Sequence, residues 1–312
     1  MKTDISIIIP VYNEEGNISK LFQKIQAIFE KIDKTWEIIF INDGSSDKSE
    51  AEILNLSKNN PQIKLISFVR NFGQTAAWSA GFDYAQGKIL ITMDADLQND
   101  PEDIPMMLEI MEKEKADIVN GWRKNRQDPF LRSIVSKMAN KIINWMMESN
   151  IKDSGCSLRI IKKSAIQDLK LYGEMHRLLP FLLAGYGAKT IQIPVKHHPR
   201  IIGKSKYGFS RTFKVLLDMI TIKFLISYQT KPIYMFGQVG FGFLVLSVLT
   251  ALLVIVRRIF FNGAWISPLF FVMSNFFTVG ILCVLMGLLA EIQVRSWFEG
   301  TGKKPYLIKK MS

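Results

Sequence analysis

The sequence predicts an α/β domain with a mostly parallel sheet, followed by a helical membrane anchor. Three observations carry this. From Ile5 to Ile91, apolar β-branched runs alternate with stretches of helical periodicity. Each apolar run stops at a cluster of polar or turn-forming residues, as strands do when their ends face a ligand cleft. Two late runs, Ile233–Val256 and Ile266–Ala290, carry no charge. Each exceeds the roughly 20 residues that span a bilayer, and a buried core helix is the alternative.

The elements follow in order. Ile5–Ile9 reads as a buried first strand that stops at Pro10. The segment P-V-Y-N-E-E-G-N comes next, and Gly16 or Asn17 starts a helix with Leu21, Phe22, Ile25, Ile28 and Phe29 on one face. Trp36–Ile41 is the second strand; N-D-G-S-S-D (Asn42–Asp47) is a turn leading into a capped helix. Lys64–Val69 is the third strand, ending in R-N-F-G-Q, and Thr75–Ala85 is a small-residue helix closed by Gly87. The fourth strand opens I-L-I-T-M-D-A-D-L-Q-N-D, Ile89–Asp100, and a further strand covers Ile191–Val195. Phe209–Tyr228 has an apolar face interrupted by Arg211, Lys214 and Lys223, the pattern of interfacial amphipathic helices. The resulting division is a domain over 1–208, interfacial helices over 209–229, two spans within 230–290 and a basic tail over 291–312.

Composition narrows the chemistry. The formal net charge is +12 over 312 residues, which can mean nucleic acid, anionic lipid or phosphorylated substrates; of these, nucleic acid is not an expected partner. The two cysteines, Cys156 and Cys283, give neither a disulfide framework nor zinc spacing. No G-x-G-x-x-G follows the first strand and no G-x-x-x-x-G-K-[ST] occurs, which disfavours the usual dinucleotide fold and a P-loop. After the fourth strand, Asp94, Asp96 and Gln98 place three oxygen donors at alternate positions. Such hard donors suit Mg2+ or Mn2+ bridging a diphosphate. A polar turn after a core strand is the plainer reading.

The segments PVYNEE, NDGSSD, RNFG and DADLQNDPE, in this order, resemble the family-2 glycosyltransferases with the GT-A fold. G-W-R-K-N-R-Q-D-P-F-L-R-S (Gly121–Ser133), D-S-G-C-S-L-R (Asp153–Arg159) and G-K-S-K-Y (Gly203–Tyr207) extend the resemblance to the polyprenyl-phosphate glycosyltransferases. The resemblance covers nearly the whole chain. It implies a GT-A nucleotide-sugar-binding domain in which Pro10, Tyr12, Glu14 and Asp43 line the nucleotide pocket. Asp94 would lie beside the nucleotide or metal, and Asp96 and Gln98 would be metal ligands. Arg123, Arg132 and Ser136 would hold the lipid acceptor's phosphate; Arg132 and Ser136 share a helix face at i, i+4. Lys124 and Arg126 belong to the same basic stretch, with a solvated basic face as the alternative. Glu174 and His176 would face the sugar, with a structural histidine as the alternative. Arg200, Ser205 and Lys206 would clamp the diphosphate. His197 and His198, adjacent on a strand, point apart and do not suit joint metal ligation.

The implied reaction is inverting transfer of one sugar from a nucleotide-sugar to a polyprenyl phosphate. Undecaprenyl phosphate is the expected acceptor and UDP-glucose the expected donor. Aminoarabinose, GlcNAc or mannose are alternative sugars, and a non-catalytic membrane scaffold is an alternative role. No general base is required, because a phosphate monoester has a second pKa of about 6 and is largely ionised at neutral pH. Lys223 and Lys231 before the spans, and Arg295, Lys303, Lys304, Lys309 and Lys310 after them, favour a cytoplasmic domain on the plasma membrane; Arg257 and Arg258 oppose it mildly. A homo-oligomer is left open.

Overall fold

The computed structural model describes residues 3–124, 144, 151–167, 169, 171, 173, 175–199, 224, 228, 231–262, 264 and 266–301. The chain divides into two compact units, Met1–Ile222 and Lys223–Ser312.

The first unit is built on a seven-stranded sheet of order β3-β2-β1-β4-β6-β5-β7. The strands are β1 (Ile5–Val11), β2 (Trp36–Asn42), β3 (Ile63–Ser67), β4 (Ile89–Thr92), β5 (Ile118–Trp122), β6 (Arg159–Lys162) and β7 (Thr190–Pro194). β1, β2, β3 and β4 run parallel. β6 enters antiparallel between β4 and β5, and β7 pairs parallel with β5. Among the described residues the α-helices are α1 (Ile18–Phe29), α2 (Ser49–Asn59), α3 (Gln74–Tyr84), α4 (Ile104–Lys113), α5 (Lys163–Ile166) and α6 (Leu179–Gly185).

The inner strands are fully buried because both faces are covered, which is why they read as unbroken apolar runs rather than alternating ones. Ile5, Ile7 and Ile9 share a core with Leu21, Phe22 and Ile25 of α1. Ile8 faces the other way, onto α3, which approaches so closely that a Cβ on Gly81 would stand 2.2 Å from the Ile8 side chain. This contact sets α3, and hence Gln74, Thr75 and Trp78, beside the end of β4. The expected strands at Ile5, Trp36, Lys64, Ile89 and Ile191 are all present within two residues. β5 and β6 have no counterpart among the strands expected from sequence.

The second unit contains α7 (Pro232–Phe261) and α8 (Pro268–Thr301). Both are long and apolar enough to cross a membrane. They form a hairpin in which the absence of side chains permits close contact: a Cβ on Gly240 would lie 2.8 Å from the Gly280 carbonyl oxygen. Ser247 Oγ donates to the Met273 carbonyl at 3.0 Å. The expected interfacial helices over 209–229 lie, apart from Phe224 and Tyr228, outside the described residues.

Candidate active site

The ends of β1, β2 and β3 are laced into one floor. Asn13 takes φ +55°, a left-handed conformation that asparagine tolerates. It donates its backbone N–H to Ser45 Oγ, while its side-chain oxygen accepts from Ser46 N at 2.8 Å. Glu14 N donates to Ser49 Oγ, and Glu15 N to Asp47 Oδ2. Glu14 Oε2 accepts from the Asn17 side chain at 2.8 Å. Asp43 is buried and spends both oxygens on the third loop, accepting from Phe72 N at 2.7 Å and Gly73 N at 3.0 Å. Burial outweighs these two donors and pushes the Asp43 pKa up. Gly44, at φ +69°, lets this loop pass: a Cβ there would meet the Arg70 backbone at 2.5 Å. Of the residues expected at the nucleotide pocket, Tyr12 is exposed on this floor, Pro10 and Glu14 are half-buried in it, and Asp43 holds it together.

Past β4 the chain turns sharply, with Leu97 at φ +61°. Asp94 Oδ1 accepts from Gln74 Nε2 of α3 at 2.7 Å. Asp96 is buried and Oδ1 accepts from Gln98 N at 3.2 Å. Burial, and then the neighbouring Asp96 charge, raise the Asp94 pKa to about 6. Gln98 donates its amide N–H to the His198 carbonyl at 3.4 Å, which leaves the amide oxygen as its acceptor. Among the described residues no three His, Cys, Asp or Glu side chains cluster as a metal group. The donor set at the β4 end is therefore two carboxylates plus an amide oxygen. It fits a hard divalent cation: the donors are oxygens, and the two acids repel one another until a cation comes between them.

His197 and His198 do not ligate together. His197 Nδ1 lies 3.1 Å from the Gln98 carbonyl and His198 Nε2 lies 2.8 Å from Asp100 Oδ2. They stitch the segment after β7 to the turn after β4, and an isolated Asn99–His197 bridge continues the seam.

Two arginines approach the acids from β5 and β6. Arg123 forks onto Asp153, Nε to Oδ2 at 2.8 Å and NH2 to Oδ1 at 2.9 Å. Burial opposes its charge, but the Asp153 bonds and charge prevail and raise its pKa. Arg159 is 1% exposed and, among the described residues, bonds to no carboxylate. Its three nitrogens donate to Asn120 Oδ1, the His176 carbonyl and the Ser154 carbonyl at 2.7–2.8 Å, and its guanidinium lies over the Trp78 ring. Burial lowers its pKa to about 10, leaving it charged. His176, buried, has Nδ1 2.6 Å from Thr75 Oγ1. It therefore sits within the wall rather than at the surface of the cleft. Ser157 is shared among Asp94, Asn99 and Thr92.

Lys124 is exposed. Arg126, Arg132, Ser136, Glu174, Arg200, Ser205 and Lys206 lie outside the described residues. D-S-G-C-S-L-R carries the family resemblance with no role for Arg159; the local signal is an arginine opening a four-residue strand, R-I-I-K, whose inner two residues are apolar.

A parallel nucleotide-type half-sheet, an acid pair at the end of its central strand and two cations behind it match a known family. Residues 6–170 match the model described as glycosyl transferase family 2. The chain belongs to that family. Its curated relatives place it in the polyprenyl-phosphate branch. It is 36% identical to a dodecaprenyl-phosphate galacturonate synthase of Rhizobium johnstonii, over 99% of this chain and 93% of the relative. It is 35% identical to an undecaprenyl-phosphate 4-deoxy-4-formamido-L-arabinose transferase of Pectobacterium atrosepticum, over 98% and 93%. Among solved structures, glucosyl-3-phosphoglycerate synthase of Mycobacterium tuberculosis, crystallised with Mn2+, UDP and phosphoglyceric acid, superposes with a TM-score of 0.56 at 16% identity. That match covers 72% of this chain and 78% of the other and shows the GT-A fold. The chain is thus a polyprenyl-phosphate glycosyltransferase.

Proposed function

We propose that the enzyme transfers a single sugar from a nucleotide-sugar to a polyprenyl phosphate at the cytoplasmic face of a membrane, with Mg2+ or Mn2+. The observation that carries this is the Asp94–Asp96 pair at the end of β4. Two acids held this close, one with its pKa raised to about 6, are ready for a cation and for the diphosphate it brings. Asp94, Asp96 and Gln98 would hold the ion, whose chemistry is to neutralise charge developing on the departing nucleoside diphosphate. The floor of β1–β3 loops, with Tyr12 exposed on it, presents a flat ring and backbone groups to a base and ribose. Arg123 and the buried Arg159 supply fixed positive charge behind the acids, where two phosphorylated reactants must meet. The acceptor phosphate is ionised at neutral pH, so these residues need only position it and screen it. The charge-free runs of α7 and α8 support anchoring beside the lipid acceptor, and the lysines and arginines flanking the pair support a cytoplasmic domain.

The donor is proposed as a UDP-sugar, UDP-glucose being the first to test. The names of the relatives add galacturonate and 4-deoxy-4-formamido-L-arabinose as sugars to offer beside it. The test is transfer in detergent from radiolabelled nucleotide-sugars to undecaprenyl phosphate with Mn2+, for the natural chain and Asp96→Ala. Labelled lipid from the natural chain alone supports the reading and names the donor. No labelled lipid from any of these donors, or equal labelling by the variant, sinks it.

A further inference from the structure

The hairpin of α7 and α8 has a tight antiparallel register. Gly240 meets Gly280, Ser247 bonds to Met273, and Gly287 lies against Ile233. This register sets Asn275 level with Val245, midway along the charge-free run Ile233–Val256. At a rise of about 1.5 Å per residue, the asparagine lies about 17 Å from either end of that run. A bilayer's hydrocarbon is about 30 Å thick, so the amide stands at its centre.

The Asn275 side chain is exposed on the side of α8 away from α7. Among the described residues no hydrogen bond reaches it. Thr278, one turn on, is satisfied within its own helix by the Ser274 carbonyl. An amide with donors and an acceptor unpaired in hydrocarbon is strongly disfavoured, so this position calls for a polar partner. A second observation indicates which. Phe271, Asn275, Thr278, Leu282, Leu285 and Leu289 recur at alternating spacings of four and three, and all are exposed. Among the described residues this is an unoccupied heptad seam with one asparagine in it, the arrangement by which parallel helices fix their register and pair as two strands. In membranes, small and hydroxyl side chains beside such an amide allow close helix approach.

We infer that α8 pairs with α8 of a second copy of this chain along that seam, with the two Asn275 amides hydrogen-bonded across the two-fold axis. An amide is both donor and acceptor, so it complements itself. A second copy inserted in the same orientation brings an identical amide to an identical depth, around an axis along the bilayer normal. This rests on the reading of α7 and α8 as membrane spans.

The full-length chain carrying Cys283→Ala is given Asn275→Cys, Leu282→Cys or Phe277→Cys and oxidised with copper phenanthroline in its native membranes. Phe277 is exposed close in depth to Asn275 but off the seam. A covalent pair of this chain at 275 and 282, and none at 277, is the expected result. Equal cross-linking at all three, none at any, or a bond to a different polypeptide overturns the pairing. In parallel, single-molecule photobleaching in supported bilayers reads the dimer constant. Asn275→Leu is expected to weaken it roughly 3- to 30-fold and Asn275→Gln to retain it; an unchanged constant for Asn275→Leu also overturns it. Alkaline carbonate separates the two readings. A chain that washes off the membrane removes the anchor and the pairing together, whereas one that stays but does not cross-link removes the pairing alone.

Discussion

Two stretches of the same rim treat their acids in opposite ways. After β1 and β2, Asp43 and Asp47 accept backbone amides and Glu14 accepts the Asn17 side chain, so their charges are used up in holding loops. After β4, Asp94 feels the Asp96 charge directly, and of the two cations that reach it Arg123 is paired with Asp153 while Arg159, among the described residues, donates only to neutral acceptors. The first kind of acid builds the floor of the site. The second stores a repulsion that a bound cation relieves. A carboxylate's partners, more than its proximity to the cleft, distinguish architecture from chemistry.

Substitution separates the two kinds. The largest effect is expected for Asp96→Ala, with transfer falling about 10²- to 10³-fold while the melting temperature holds or rises, since a repulsion is removed. A melting temperature that drops with the activity would make Asp96 another floor residue. Next comes pH. Asp94 is raised above the ordinary carboxylate range, so protons compete with the metal from about 6 downward. Mn2+ affinity, read by calorimetry, should be flat above pH 7 and fall by about tenfold per unit below the Asp94 pKa. Asp43→Ala should do the reverse of Asp96→Ala. It strands two loop amides and is expected to cost about 1–3 kcal/mol in denaturant unfolding, with activity following loop order. Smallest is Asp47→Ala, at about 0.5–1.5 kcal/mol. Because burial opposes but hydrogen bonds from Ser49 and Glu15 prevail, the Asp47 pKa is lowered in the folded state. Its contribution is therefore present above the unfolded carboxylate pKa and fades as pH falls through the lowered value.

The parallel half of the sheet was legible because each strand is buried on both faces and so leaves a continuous apolar run. β6 was not, because it has four residues with a charge at each end, R-I-I-K. Its strand character comes wholly from antiparallel neighbours. β5 includes Asn120 and Gly121, which lower any local strand signal. The same division runs through the site. Asp94, Asp96 and Gln98 are consecutive alternate positions, and their spacing speaks for itself. Arg159 takes its meaning from Asn120, 39 residues away, and Thr92 from Ser157, 65 residues away. Asp43 is expected at the nucleotide pocket from the family resemblance of N-D-G-S-S-D; its hold on Phe72 and Gly73 required the fold.

The antiparallel entry of β6 has a consequence for how the enzyme is made. A chain emerging from the ribosome can complete β1–β4, with their helices, from local crossovers. At that stage the acid pair exists, but Arg159, Ser157 and the Asp153 that holds Arg123 have not been synthesised. The strand that enters last between existing neighbours thus brings the second arginine, Arg159, to an acid pair that until then has only Arg123, whose partner Asp153 arrives just ahead of it.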